Sequence, residues 1–306
     1  MRIRPGRPSL TPYAHRFDVP AAAATSRLTV TWAGVTTLLI DDGKSALLTD
    51  GFFSRPALAT VALRRLEPDT ARIEGSLARL RLHRLAAVIP VHTHYDHVLD
   101  SPAVADRTGA VLIGGASAAQ VGRGAGLPDD RIVVAADGAS VSAGSFDITL
   151  IDTGHCPPDR FPGTIDAPVA PPARVSAYRC GEAWSLLVGH RPSGRRLLIV
   201  GSAGFRRGAL AGQHAEVAYL GVGQLGLQPE RYLVDYWTET VRTVGARRVV
   251  LTHWDDFFRP LHRPVRALPY AADDLDFSMR VLGGLAETDG IPLHLPTVWQ
   301  RTDPWR

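Results

Sequence analysis

The hydrophobic pattern near the start of the chain predicts a small group of strands. Two apolar runs at 28–32 and 35–40 precede an Asp-Asp-Gly turn at 41–43, and a third run follows at 45–49. Short runs rich in β-branched and other apolar residues, separated by a turn of this kind, are typical of antiparallel strands. The region 27–50 is therefore predicted to form antiparallel strands.

Helical and strand-like segments alternate after this region. Residues 67–82 carry apolar positions near helical spacing, and the apolar run 85–89 after them indicates a buried strand. The other predicted elements are helices around 103–108, 117–121 and 229–244, strands near 110–113, 132–134, 146–151 and 248–251, and a hairpin of 184–188 with 196–200. This alternation predicts a layered α/β fold.

The chain has 306 residues, of which 45% are hydrophobic, which suffices for one large domain or two small ones. We expect a lead-in over 1–26, without the apolar core of a signal peptide, that is flexible or wraps the surface. A single domain over 27–306 is predicted, with a C-terminal extension after about residue 260. The proline-rich stretch 156–174 is expected to form a long surface loop near the functional site.

Composition narrows the classes of partner. The net charge is +4 and the basic residues are scattered, which disfavours a nucleic-acid partner. Two cysteines, Cys156 and Cys180, are too few for a disulfide framework. No segment reaches the apolar length that spans a bilayer, so a cytoplasmic protein is expected.

The segment His92-Thr93-His94-Tyr95-Asp96-His97 follows directly after the predicted strand at 85–89. Imidazole and carboxylate are the donors that zinc and its neighbours prefer. Alternate residues of an extended segment share a side, so His92, His94 and Asp96 can face one ion, while His97 is free to reach a second. A catalytic site needs a further donor from elsewhere in the chain. The motif predicts a metal site.

Five ordered segments resemble the motifs of the metallo-β-lactamase superfamily. They are the segments 47–51, 92–97, 153–155, 201–204 and 251–253. The resemblance covers roughly residues 27–260, and the second motif is by far the most specific. It implies a four-layer αβ/βα sandwich with a metal site along one edge of its two sheets. Because it contains a tyrosine, the second motif looks most like that of one branch of the superfamily. This branch includes the ascorbate-phosphate lactonases and the N-acylphosphatidylethanolamine phospholipase D-like hydrolases.

The resemblance also implies a ligand set for a first metal ion. His92, His94 and His155 would bind that ion. Asp50, at the end of its predicted strand, would orient the ligands, because ligating imidazoles need hydrogen-bond partners. Zinc is the expected metal, as one or two ions, with manganese or iron as alternatives.

Asp96, His97 and His253 would form a second metal site by the same resemblance. Asp96 would orient the nucleophilic water and carry its proton to the leaving group. His253 would help to stabilise developing negative charge, so Asp96 and His253 are the predicted catalytic residues.

One position departs from the family pattern. The family usually has an aspartate that bridges the two metals, and this chain has Ser202 in that place. A neutral hydroxyl is a poor bridge between two dications, so we expect weaker binding of the second ion. His190 is predicted to be structural, because six residues of strand place it roughly 20 Å away. Nearer to Ser202, the weak candidates for a ligand in place of the missing aspartate are Tyr178, Cys180 and Glu182. The remaining histidines, assigned to surface or core, are His15, His83, His214, His262 and His294.

The predicted function is metal-dependent hydrolysis of a small-molecule ester, lactone or phosphodiester. Histidine rather than glutamate at 94 argues against a flavodiiron oxygen reductase. About fifty residues separate Ser202 from His253, which are too few for the inserted domain of the β-CASP nucleases. The fourth motif contains no cysteine, which argues against the familiar antibiotic-degrading enzymes. The alternative is a non-hydrolytic protein, either a mononuclear-iron redox enzyme or a metal-binding module with reduced activity. A nuclease is a third hypothesis, which predicts that activity on RNA or DNA falls steeply as the salt concentration rises.

Overall fold

Two seven-stranded sheets packed face to face form the centre of the computed structural model, which describes residues 4–82 and 84–306. His83 and the first three residues of the predicted lead-in lie outside the described residues. Both sheets are mixed, and the predicted α/β fold is confirmed.

The first sheet contains the strands at the start of the chain. Its members are β1 (Thr29–Trp32), β2 (Leu38–Asp41), β3 (Ala46–Thr49), β4 (Leu85–Ile89), β5 (Val111–Gly114), β6 (Ile132–Val134) and, at the edge beside β1, β14 (Arg301–Thr302). Strands β1, β2 and β3 are antiparallel, as the turn at 41–43 predicts. Strands β3 to β6 are parallel, so the loops after them leave at the same edge of the sheet.

The second sheet follows chain order. Its members are β7 (Ser140–Ala143), β8 (Phe146–Asp152), β9 (Trp184–His190), β10 (Arg196–Val200), β11 (Val217–Gly221), β12 (Arg248–Thr252) and β13 (Leu293–His294). Strands β9 and β10 form the predicted antiparallel hairpin. The pairs from β10 to β13 are parallel.

Helices cover the outer faces. They are α1 (Leu58–Leu63), α2 (Thr70–Leu80), α3 (Tyr95–Val98), α4 (Ser101–Thr108), α5 (Ala116–Gly124), α6 (Glu230–Trp237), which continues as a π-helical turn over Thr238–Arg242, and α7 (Leu275–Asp289). Along β2, Leu38 and Ile40 face the core between the sheets, whereas Leu39 belongs to a separate cluster with Val104 of α4. Tyr236 of α6 donates a hydrogen bond to the carbonyl at the end of β11. The layers are therefore helix, sheet, sheet and helix.

The two ends of the chain lie against each other. Tyr13 donates to Asp276 at 2.8 Å, and Asp18 lies 2.6 Å from Nδ1 of His294. Strands β13 and β14 also place the C-terminal extension in both sheets. The predicted boundaries at residues 26 and 260 stay predictions. None of the described helices has the length and apolar character needed to cross a membrane.

Several elements were not predicted. Strand β11 is buried along its whole length and lies between two parallel neighbours, so it shows no alternation of polar and apolar positions. Strands β13 and β14 are two residues long and carry no pattern of their own. Strand β7 and helices α1 and α7 were also missed.

Candidate metal centre

The candidate metal ligands, together with Asp50, lie in segments that follow four strands, and Asp96 and His97 belong to the short helix α3. Asp50 comes directly after β3, and the segment 92–97 follows β4. His155 follows β8 and His253 follows β12 directly. Residues far apart in sequence therefore meet at one edge of the two sheets, where loops present side chains on a rigid scaffold.

Three histidines form the first cluster, which we define as His92, His94 and His155. Their ligand nitrogens all lie within 4.8 Å of one another, and Nε2 of His92 is 3.1 Å from Nδ1 of His94. Nδ1 of His155 lies 2.7 Å from the carbonyl of Cys156, which leaves its Nε2 available. Two nitrogens bound about 2.0 Å from one tetrahedral ion lie about 3.3 Å apart. The spacing and the donors of this cluster fit a zinc-type ion.

Asp96, His97 and His253 form the second cluster. Nε2 of His97 is 3.2 Å from Nε2 of His253, and Oδ2 of Asp96 lies 3.5 Å from the His253 nitrogen and 3.7 Å from the His97 nitrogen. Asp50 lies 2.8 Å from Nδ1 of His97, so Nε2 is the nitrogen that His97 offers. These three donor atoms also have the spacing of ligands around one ion.

The two clusters are adjacent. The ring centroids of His92 and His97 are 3.9 Å apart. His92 and His97 are fully or nearly fully buried, whereas His155 and His253 are half-buried and form the side of the centre that solvent reaches. Within the described chain, Nδ1 of His92 and Nδ1 of His253 are buried without a hydrogen-bond partner.

Two rings of the first cluster, those of His92 and His155, favour the neutral form. Burial, together with the neighbouring imidazoles, lowers the pKa of His92 well below its usual value. Burial lowers the pKa of His155 to about 4. Neutral imidazole is the form that binds metal, so these groups need not lose a proton at neutral pH before a cation binds.

In the second cluster, Asp96 and His253 shift each other's pKa. Burial by itself opposes ionisation of Asp96, but His97 and His253 outweigh it and lower the pKa of Asp96. Burial likewise favours the neutral form of His253, yet the hydrogen bond and the charge of Asp96 raise the pKa of His253. Asp96 is therefore a carboxylate at neutral pH, as a metal ligand must be.

The structure brings all six predicted ligands together, in the two groups that the resemblance implies. Ser202 lies next to the first cluster, where its hydroxyl accepts the N–H of Cys156 at 2.9 Å. The Cys156 thiol is buried, and burial raises its pKa to about 12. His190 lies elsewhere, 3.1 Å from Asp42, in keeping with the predicted structural role.

Two features of the centre were not predicted. Asp159, from the proline-rich loop, lies 3.1 Å from Nε2 of His94, and its carboxylate and the Cys180 thiol form a third group of potential ligands with His94. Arg55 forms a 2.6 Å ion pair with Asp255, two residues after His253. Neither residue has a motif or a spacing that links it to the metal ligands in sequence.

Comparison with known proteins finds relatives and structural neighbours that are named metal-dependent hydrolases or metallo hydrolases. No family model matches the chain. A UPF0173 metal-dependent hydrolase of Rhizobium leguminosarum is 29% identical over 126 residues, which are 41% of this chain and 47% of the relative. The match thus spans about half the length of the curated relative.

Two solved structures share the fold at low identity. Igni18, a metallo hydrolase from Ignicoccus hospitalis, has a TM-score of 0.56 at 16% identity and covers 90% of this chain and 97% of its own. An isothiocyanate hydrolase from Delia radicum gut bacteria also has a TM-score of 0.56 at 16% identity, over 90% of this chain and 98% of its own. These likenesses do not distinguish the branch that the tyrosine-containing motif suggests. The chain therefore shares its two-sheet fold with these hydrolases, and its ordered histidine motifs resemble those of the metallo-β-lactamase superfamily.

Proposed function

We propose that the protein is a metal-dependent hydrolase that acts on a small-molecule ester, lactone or phosphodiester. The observation that carries this proposal is the pair of adjacent three-donor clusters at the mouth of the sandwich. When bound there, a zinc-type ion supplies Lewis acidity, which lowers the pKa of water and polarises a carbonyl or phosphoryl oxygen.

The residues of the chain have separate tasks in this reaction. The first cluster would hold one ion through its three imidazoles. The second cluster would hold another ion more weakly, because Ser202 offers no negative charge between the two sites. Asp96 is ionised and its side chain is 11% exposed, so it can orient a water molecule and accept its proton. His253, the half-buried member of the second cluster, would help to stabilise the negative charge that develops on a bound substrate.

Aromatic side chains flank both clusters. Phe161 lies with its ring centroid 6.5 Å from that of His94, and Phe257 lies 5.5 Å from His253. Both rings are partly exposed. They favour a substrate that has an apolar portion beside its scissile bond, because such a group buries aromatic surface on binding.

The test combines metal analysis with turnover. The purified protein is stripped of metal, titrated with zinc, manganese and iron(II), and assayed on a chromogenic phosphodiester, a chromogenic ester and a set of lactones. We expect binding of at least one ion and turnover of at least one substrate class. His94→Ala should lose the first ion and reduce kcat/KM about 100-fold or more.

His214→Ala is the matched control, because His214 is an exposed histidine whose one side-chain hydrogen bond among the described residues is to the carbonyl of Val244. It should keep both properties. Full activity in His94→Ala would contradict the proposal. Iron as the sole metal without turnover of any ester would instead favour the redox alternative.

A further inference from the structure

The two ring nitrogens of His94 face different partners. Nδ1 lies 3.1 Å from Nε2 of His92, inside the first cluster, and Nε2 lies 3.1 Å from Oδ1 of Asp159. A carboxylate only accepts hydrogen bonds, so the nitrogen that faces Asp159 carries the proton. Nδ1 is then left as an unprotonated donor that points at the cluster.

A series of hydrogen bonds through Phe161 and Cys180 connects Asp159 to the backbone of the metal motif. Its Oδ1 accepts the N–H of Phe161 at 3.0 Å, and the Phe161 carbonyl accepts the N–H of Cys180 at 2.8 Å. The Cys180 carbonyl in turn accepts the N–H of Thr93 at 2.8 Å, next to His94. The loop that carries the carboxylate is thus connected to the ligand that the carboxylate contacts.

The same arrangement exists at the second cluster, where Asp50 contacts the ring nitrogen of His97 that faces away from the donors. The first cluster consists of three imidazoles and has no carboxylate of its own. At Ser202 the chain offers only a hydroxyl. Among the described residues, Asp159 supplies the one carboxylate that lies within hydrogen-bond distance of a ring of the first cluster.

We propose that Asp159 is a positioning residue, which holds His94 with Nδ1 toward the first ion and strengthens its binding through a negative charge. The proposal rests on the proposed function, because it requires an ion at the first cluster. A carboxylate hydrogen-bonded to a ligating imidazole fixes its tautomer and raises its basicity, and loss of such a partner typically weakens metal binding about 10- to 100-fold.

Zinc titrations of the metal-free protein, followed with a competing chromophoric chelator, test this role without depending on turnover. Asp159→Ala should raise the Kd of the first ion about 10- to 100-fold. Asp159→Asn should raise it less, since the amide oxygen still accepts the His94 proton but carries no charge. The control Asp166→Asn removes an exposed carboxylate from the same loop and should leave the Kd unchanged.

The outcomes separate the two proposals. A wild-type protein that binds no ion overturns both the proposed function and the role of Asp159. Ion binding in the wild type that His94→Ala abolishes and Asp159→Ala leaves within about twofold overturns the role of Asp159 alone. Equal and complete loss of the ion in Asp159→Ala and Asp159→Asn also overturns it, because Asp159 would then be a direct ligand. Circular dichroism of each variant verifies that the sandwich is folded.

Discussion

The Asp50 carboxylate contacts His97 through one oxygen and the N–H of Val91 through the other, at 2.8 and 2.9 Å. Both side chains are fully buried. Asp50, directly after β3, thus orients the ring of a candidate ligand and also holds the backbone that leads into the metal motif. The resemblance to the metallo-β-lactamase superfamily implies this orienting role.

Asp50→Asn tests this contact with little change of shape. The amide oxygen can still accept the N–H of Val91, but the amide nitrogen then faces Nδ1 of His97 as a donor. His97 must take the tautomer with its proton on Nε2, which blocks the nitrogen that belongs to the second cluster. We expect a loss of affinity for the second ion of about 10- to 100-fold, measured by metal titration.

The first cluster serves as the internal control in that titration, because its three histidines do not contact Asp50. The Kd of the ion at the first cluster should be the same in Asp50→Asn as in the wild-type protein. Unchanged binding of two ions by Asp50→Asn would show that the tautomer of His97 does not depend on Asp50.

Ser202 offers a second test, of the charge between the clusters. Its hydroxyl accepts the N–H of Cys156, beside His155 of the first cluster. Ser202→Asp should raise the affinity for the second ion about tenfold or more, because an anion offsets the repulsion between two dications. Metal titration with analysis of the stoichiometry measures the change.

Ser202→Asn separates charge from size in this experiment. The amide matches aspartate in shape and is neutral, so its stoichiometry should follow the wild-type protein. If Ser202→Asp binds no more metal than Ser202→Asn, position 202 does not face the space between the two clusters.

The motif at 92–97 is evident from the sequence alone, whereas His155 and His253 are candidate ligands because of the family resemblance. Each of the three segments follows an apolar run that forms a strand, so the edge of the sheets determines where they meet. Asp159 differs, because its position depends on the path of a proline-rich loop that no periodicity describes. Strand β11 was missed for a related reason. A short strand that is buried on both faces lacks the alternation of polar and apolar residues by which a strand is predicted.

The ion pair between Arg55 and Asp255 provides a prediction on stability. The side chains are 1% and 0% exposed, and Asp255 also accepts the N–H of Val35 at 2.9 Å. The N–H of His253 donates to the carbonyl of Val35, so the pair anchors the segment that carries this ligand. Arg55→Met leaves Asp255 buried and unpaired, which should lower the free energy of unfolding by about 3–5 kcal/mol.

Urea denaturation of the single and double variants measures this effect. Arg55→Met with Asp255→Asn should recover part of the loss, since no uncompensated charge remains. Arg123→Met breaks an ion pair with the exposed Asp129 and should cost about 1 kcal/mol or less. A loss in Arg55→Met no larger than that of Arg123→Met would mean that the buried pair contributes little to stability.

Asp42, which lies outside the metal centre, carries a prediction on pH. It accepts the N–H groups of Lys44 and Ser45, both at 2.7 Å, and lies 3.1 Å from Nε2 of His190. Burial alone would raise the pKa of Asp42, but these hydrogen bonds outweigh it and lower the pKa from 3.8 to about 2. The folded protein therefore holds the Asp42 proton less tightly than the unfolded chain does. The resulting stabilisation is fully present above about pH 4 and is lost as the pH falls toward 2.

Urea denaturation of Asp42→Asn and the wild-type protein at pH 6, 4, 3 and 2 isolates this contribution. The difference in the free energy of unfolding should shrink by about 2 kcal/mol between pH 6 and pH 2, which corresponds to the shift in pKa. Asp166→Asn, at an exposed carboxylate, controls for the general loss of one negative charge. Because metal release affects both proteins alike at low pH, it cancels in the difference. A difference that stays constant over this range would mean that the turn at 42–45 and His190 are held by shape rather than by the charge of Asp42.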